Sequence, residues 1–206
     1  MSTPAKAPLK LPTQALAEAI ATEWAGQGEN LELGTMPLTQ LANTATDRVV
    51  PDPAPAIEEL LAYAAIDLLC YRAEAPPSLV ERQQAQWQPL LDWLALRHGA
   101  PLAVHAGVIP RPQPVATLSA LRRRLADQSA FVLAGLAAAT QTCGSLVIAF
   151  ALAEGQVGAD EAFELAELDA TYQIERWGAD DEAAARRRRL RQDIQDIHRF
   201  LAHSTG

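Results

Sequence analysis

The run Ala130–Ala153, AFVLAGLAAATQTCGSLVIAFALA, decides how this chain folds. Its 24 residues carry no charge, and an apolar stretch of that length is long enough to span a bilayer as one helix. Five polar or small residues, Thr140, Gln141, Thr142, Gly144 and Ser145, fall in its middle. In lipid those groups would need partners that hydrocarbon does not supply. The run therefore predicts a buried hairpin of two short helices, or one helix with a polar notch, and no membrane insertion. A helix that is apolar all round has to be surrounded by others, so the rest of the chain should wrap this segment.

Composition agrees with a helical globule. The chain has 206 residues, 49% hydrophobic and 20% charged, with much of the aliphatic content in Ala and Leu. That length suits one good core, or a core plus a small second unit. The net charge of −8 argues against nucleic acid as a partner. Two distant cysteines, Cys70 and Cys143, make no disulfide framework and suit a reducing compartment. Cys143 reads as a small buried hydrophobe. The N-terminus, MSTPAKAPLKLPTQ, has neither a secretory pattern nor the arginines of a transit peptide.

Turn chemistry divides the chain into residues 1–50 and an all-helical domain, 51–206. In the first, Thr13 caps a helix from Gln14 to about Ala25 that Gly26 and Gly28 stop. Leu31–Leu33 reads as extended, and Pro37 opens a helix to about Arg48. The run PDPAPA, residues 51–56, should interrupt helix. Further helices are expected over Ile57–Cys70, from a Ser78 cap to His98 with a bend at Pro89, and over Val115–Leu125, Asp160–Trp177 and Glu182–Ala202. The loop His98–Pro114 is irregular, with a short strand at Leu102–Val104. Trp24, Trp87 and Trp93 sit on apolar stripes and read as core anchors.

Catalytic signatures are missing: no phosphate loop, GxGxxG, GxSxG or HExxH occurs. His98 and His105 read as solvated loop residues, and neither a metal nor a cofactor is expected. The arginines at 186–189 and 122–124 read as solvated, salt-laced faces, with Glu182–Arg186 and Arg189–Asp193 at helix-pair spacing.

The sharpest signal is LDATYQIERWG, residues 168–178. At about 100° per residue, Leu165, Leu168 and Tyr172 share one side, whereas Glu164, Glu167, Thr171 and Glu175 lie on or near the polar side. Asp169 falls inside the apolar arc. An unpaired carboxylate there costs several kcal/mol. Either an arginine of the same domain closes a buried pair, or Asp169 stays partly hydrated and awaits a donor from another chain. Gln173 and Arg176 flank the same arc one turn later.

These residues resemble the C-terminal signature of the assembly chaperones for the alpha subunit of the ATP synthase catalytic head. The likeness runs in order along nearly the whole chain. It includes LPTQALAEAIATEW (11–24), MPLTQLANTATDRV (36–49), DLLCYRAEAPPSLVERQQAQWQPLLDW (67–93), GVIPRPQP (107–114) and TCGSLVIAFALAEG (142–155). The resemblance implies a mainly α fold: a helical domain preceded by a small α+β module. Only ten residues precede Leu11, so that module is expected to be incomplete. It further implies a monomeric, non-enzymatic chaperone of the bacterial cytoplasm or mitochondrial matrix, whose partner is the unassembled alpha subunit. The acidic residue opening the YQ motif, here Asp169, is implicated in family function. The expected partner-binding residues are Asp169, Glu167, Tyr172, Gln173, Glu175, Arg176 and Trp177. Tyr172 and Trp177 would anchor, and Asp169, Glu167 and Glu175 would orient a basic client residue. Two other functions compete: a helical enzyme using Asp169 or Glu175 as acid–base groups, and a helical adaptor without chaperone action.

Overall fold

The structure, a computed structural model, describes residues 1–107, 109 and 111–205. In chain order the helices are α1 (Gln14–Ala25), α2 (Pro37–Thr44), α3 (Ala54–Ala65), α4 (Pro77–His98), α5 (Val115–Ala126), α6 (Ala130–Cys143), α7 (Leu146–Ala153), α8 (Ala159–Ala166), α9 (Leu168–Trp177) and α10 (Asp181–Ser204). Two short strands, β1 (Tyr71–Arg72) and β2 (His105–Ala106), pair in parallel, Tyr71 opposite His105. The fold is therefore mainly α.

The polar notch of the opening stretch resolves into a helix break. Gly144 takes a left-handed φ of 68°, a conformation that favours glycine. Ser145 then caps α7 by accepting from the Ile148 N–H. Leu146 to Leu152 are buried without interruption, so α7 is the centre of the core. No described helix is long and apolar enough to cross a membrane. A fully buried carboxylate supports this junction. Asp67 accepts from the Leu69 N–H (3.0 Å), the Ser145 hydroxyl (2.8 Å) and the Val147 N–H (3.2 Å), holding the N-terminus of α7. Burial pushes its carboxyl up to about 6, against those hydrogen bonds.

Helix α10 crosses α6 at Gly135, where a Cβ would lie 2.5 Å from Leu201 Cδ2. One contiguous apolar cluster includes α1 and α2 (Leu16, Ile20, Leu38, Ala42) together with α6, α7 and α10. Thr13 caps α1 and donates its hydroxyl to the His203 carbonyl, tying α1 to the end of α10. Trp87 is completely buried, its indole N–H donating to the Leu165 carbonyl (3.0 Å).

Several local expectations are corrected. Helix α3 starts inside PDPAPA, at Ala54, because proline fits the first helical turn. It stops at Ala65, and Leu68–Cys70 forms a 3-10 turn. The Leu31–Leu33 piece gives way to a 3-10 turn at Leu33–Thr35, and Ala45–Val49 continues α2 as a π-helical turn. The strand falls at His105–Ala106 rather than Leu102–Val104. Among the described residues of the first 50, the only β pairing is a single bridge between Ser2 and Pro8. Ser78 caps nothing, since α4 begins at Pro77. His98 lies inside α4 with its side chain buried, facing Glu154, Trp93 and Phe150, and His105 is half-buried, so neither is a solvated loop histidine. Trp24 is exposed at the end of α1. Val108 and Pro110, within GVIPRPQP, lie outside the described residues.

Candidate functional site

The segment predicted as one helix, Asp160–Trp177, is two. It breaks at Glu167 (φ −103°, ψ 19°), where the carboxylate turns away from solvent toward α10. Arg186 reaches both Glu167 oxygens (3.0 and 2.8 Å), and Arg187 reaches Oε2 (2.7 Å) while bridging to Thr171 (2.8 Å). Glu167 is only 8% exposed. The structure thus places it inside an intramolecular ion network rather than on the outer polar side. Arg186 takes this partner on α8–α9 in place of the local pair with Glu182 that its spacing suggested.

Beyond the break, α9 lies across the start of α4 with little apolar contact, since only Leu168 and Tyr172 are buried. Polar contacts do the rest. The Tyr172 hydroxyl is 2.6 Å from Ser78 Oγ. Its ring is flanked by the guanidiniums of Arg176 (4.6 Å from the centroid) and Arg82 (5.3 Å). Arg82 also grips Glu175 with both terminal nitrogens (2.9 and 2.8 Å) and holds that carboxyl below its ordinary range. Tyr172 is 5% exposed and locks α9 to α4 from within. Gln173, Glu175, Arg176 and Trp177 face solvent, Trp177 with 76% of its surface free.

Asp169 sits at the centre of this face, half-buried. Its Oδ1 accepts from Gln83 Nε2 (2.8 Å). No ion pair reaches it among the described residues, and its second oxygen accepts no hydrogen bond there. Of the two explanations open from sequence, the internal arginine pair is not what forms; the partner is a neutral amide. Gln83 is itself fixed. Its Oε1 accepts from the Ala73 N–H (2.8 Å), which aims its NH₂ group at Asp169. Its backbone carbonyl accepts from Arg72 (2.5 Å). Arg72 is buried over the Trp87 ring (5.2 Å), with its Nε unpartnered. Burial lowers its pKa, and the nearby Cys70 and Asp169 oppose that shift. A carboxylate held at one oxygen, open at the other and backed by a buried cation can accept a donor from outside without local refolding.

Gln83, Arg82 and Arg72 were not singled out from sequence, and Ser78 was read only as a helix cap. Gln83 did carry a signal, because it precedes Trp87 by four residues and so interrupts the apolar stripe of α4, much as Asp169 interrupts that of α9. Among the described residues no group of three or more His, Cys, Asp or Glu could hold a metal.

A sequence model of the ATP12 chaperone protein family matches residues 1–95. The structure of Atp12 from Paracoccus denitrificans superposes with a TM-score of 0.93 at 40% identity, covering 99% of this chain and 88% of that one. An aspartate-to-lysine variant of the same P. denitrificans protein matches equally well, with 87% of its chain covered. The mitochondrial protein atp12 of Schizosaccharomyces pombe is 27% identical over 180 residues, 82% of this chain. This chain spans 61% of that relative's length. The fold is that of the Atp12 structures, a helical protein with a polar face on its penultimate helix, and this likeness puts it in the chaperone class. The chain belongs to the ATP12 chaperone family.

Proposed function

We propose that this protein is a chaperone of ATP synthase assembly that binds the unassembled alpha subunit of the catalytic head. Membership of the ATP12 family supports the chaperone role, and the carrying observation at the site is Asp169. Its carboxylate is half-buried, tethered at one oxygen by Gln83 and open at the other. An unassembled subunit exposes surface that assembly later buries, and such patches aggregate. A temporary cover needs a few oriented polar groups within modest apolar contact, tight enough to protect and loose enough to yield. Asp169 supplies a hydrogen-bond acceptor for a basic client residue, and Trp177 supplies exposed aromatic area at the far end of α9. An acid–base enzyme fits this face less well. Asp169 has a neutral amide as its direct partner, and Glu175 is tied up by Arg82.

The test is Asp169→Lys. The side chain at 169 is half exposed, so a lysine can carry its ammonium to water and leave the helices intact. Client rescue, measured as suppression of alpha-subunit aggregation, is expected to fall at least tenfold with an unchanged circular dichroism spectrum. A variant that folds and protects the alpha subunit like the parent refutes the assignment. A stable ternary complex without aggregation suppression would identify an adaptor instead.

A further inference from the structure

We propose that the trough between α4 and α8 is a second contact surface for the same client, receiving a segment that carries a lysine or arginine next to an apolar side chain. The inference rests on the chaperone reading above.

Two adjoining clefts form the trough. One, of about 360 Å³, lies between Pro89 and Trp93 of α4 and Val157 and Leu165 on the α8 side. The other, of about 540 Å³, continues to Thr171 and Glu175 of α9. Gln86 and Glu164 line both, so the two clefts adjoin, and the second reaches Glu175, beside the face that holds Asp169.

The chemistry of the walls selects a cation. Three arginines line the second cleft: Arg82 pairs with Glu175, Arg191 pairs with Asp160, and Arg187 shares Glu167 with Arg186. Glu161 and Glu164, on the rim of the other half, have no hydrogen-bond or ion-pair partner among the described residues. The first cleft is lined by these two carboxylates and by no cation, so the uncompensated charge there is negative. Pro89 adds a second acceptor. Having no N–H, it cannot donate to the carbonyl of Ala85 one turn earlier, and Ala85 and Pro89 line the same cleft. The same cleft is lined by Leu165, Val157 and the half-buried Trp93. An apolar side chain would pack on Leu165 and Val157 while an adjacent ammonium or guanidinium meets the carboxylates, with Trp93 offering its ring to the cation.

The experiment compares binding of purified alpha subunit by the full-length chain and its variants, at low and at physiological salt. Ala85→Trp fills the trough from an exposed helix position. Glu161→Gln with Glu164→Gln removes its charge. Each is expected to weaken binding about tenfold without lowering Tm, and the charge variant should also flatten the salt dependence. A photoreactive benzoylphenylalanine at position 86 should cross-link to the alpha subunit. If these variants bind like the parent while Asp169→Lys does not, the trough proposal is overturned and the chaperone reading stands. Cross-linking from position 86 to a second copy of this chain also overturns it. If the parent chain fails to bind alpha subunit at all, both readings fall.

Discussion

Replacing Gln83 by Met tests whether Asp169 is held in place from beneath. The two side chains are similar in volume, so the packing term is small. The polar terms are not. The Ala73 N–H loses its acceptor at 2.8 Å, and leaving a largely buried donor unpaired costs about 1–3 kcal/mol. Asp169 loses a 2.8 Å hydrogen bond; because it is half exposed, water replaces part of this, leaving about 1 kcal/mol. The expected loss is about 2–4 kcal/mol, read from urea midpoints at constant m-value. Gln83→Glu makes a sharper contrast. It keeps the acceptor for Ala73 but sets a second carboxylate against Asp169. That variant should be weaker at pH 7 than the Met variant and recover as the pH falls toward 4, where one of the two acids takes up a proton. Gln83→Met should also impair alpha-subunit protection, since the acid then samples other positions. A stability loss below about 0.5 kcal/mol, or a Glu variant with no pH dependence of its own, would refute the reasoning.

Gly135→Ala should destabilise by about 1–3 kcal/mol through overpacking, because the new methyl meets Leu201 Cδ2 at 2.5 Å and Cγ at 2.9 Å; thermal unfolding checks it. Asp67 should make the protein less stable as pH rises. Its folded-state value of about 6 lies above the unfolded one, so its favourable contribution is complete below about pH 4 and lost through pH 6, on the order of 3 kcal/mol in all. Glu154, held below its ordinary range by Arg97 and Arg124 despite its burial, acts in the opposite direction. The diagnostic quantity is therefore the difference between parent and Asp67→Asn. The parent's relative advantage should shrink from pH 4 to pH 7, and a constant difference would contradict the assignment.

Local rules made much of the fold legible. The cap read at Thr13 forms the hydrogen bond that starts α1, and Ser129, Ser145 and Asp180, not read as caps from sequence, start their helices in the same way, since a cap needs only residues a few positions apart. The break at Gly144 follows from the same short range. What went unread depended on distant partners. The Asp160–Trp177 pattern continues as one helix by periodicity. Its interruption at Glu167 rests on Arg186 and Arg187, about twenty positions later. Ser78 resembles a cap, yet its hydroxyl meets Tyr172, 94 positions away. His98 looked solvated because nothing in its neighbourhood announces Glu154 and Phe150.

By itself the sequence determined an uncharged helical centre, the caps and breaks around it, and a carboxylate in an apolar arc, because these follow from spacing along one chain. Which groups meet that carboxylate was decided only by tertiary structure. Helix α4 brings Gln83 to Asp169 across 86 positions, and α10 takes Glu167 out of solvent. The physical reason is range: helix periodicity fixes which way a side chain points, whereas its partner depends on how whole helices cross.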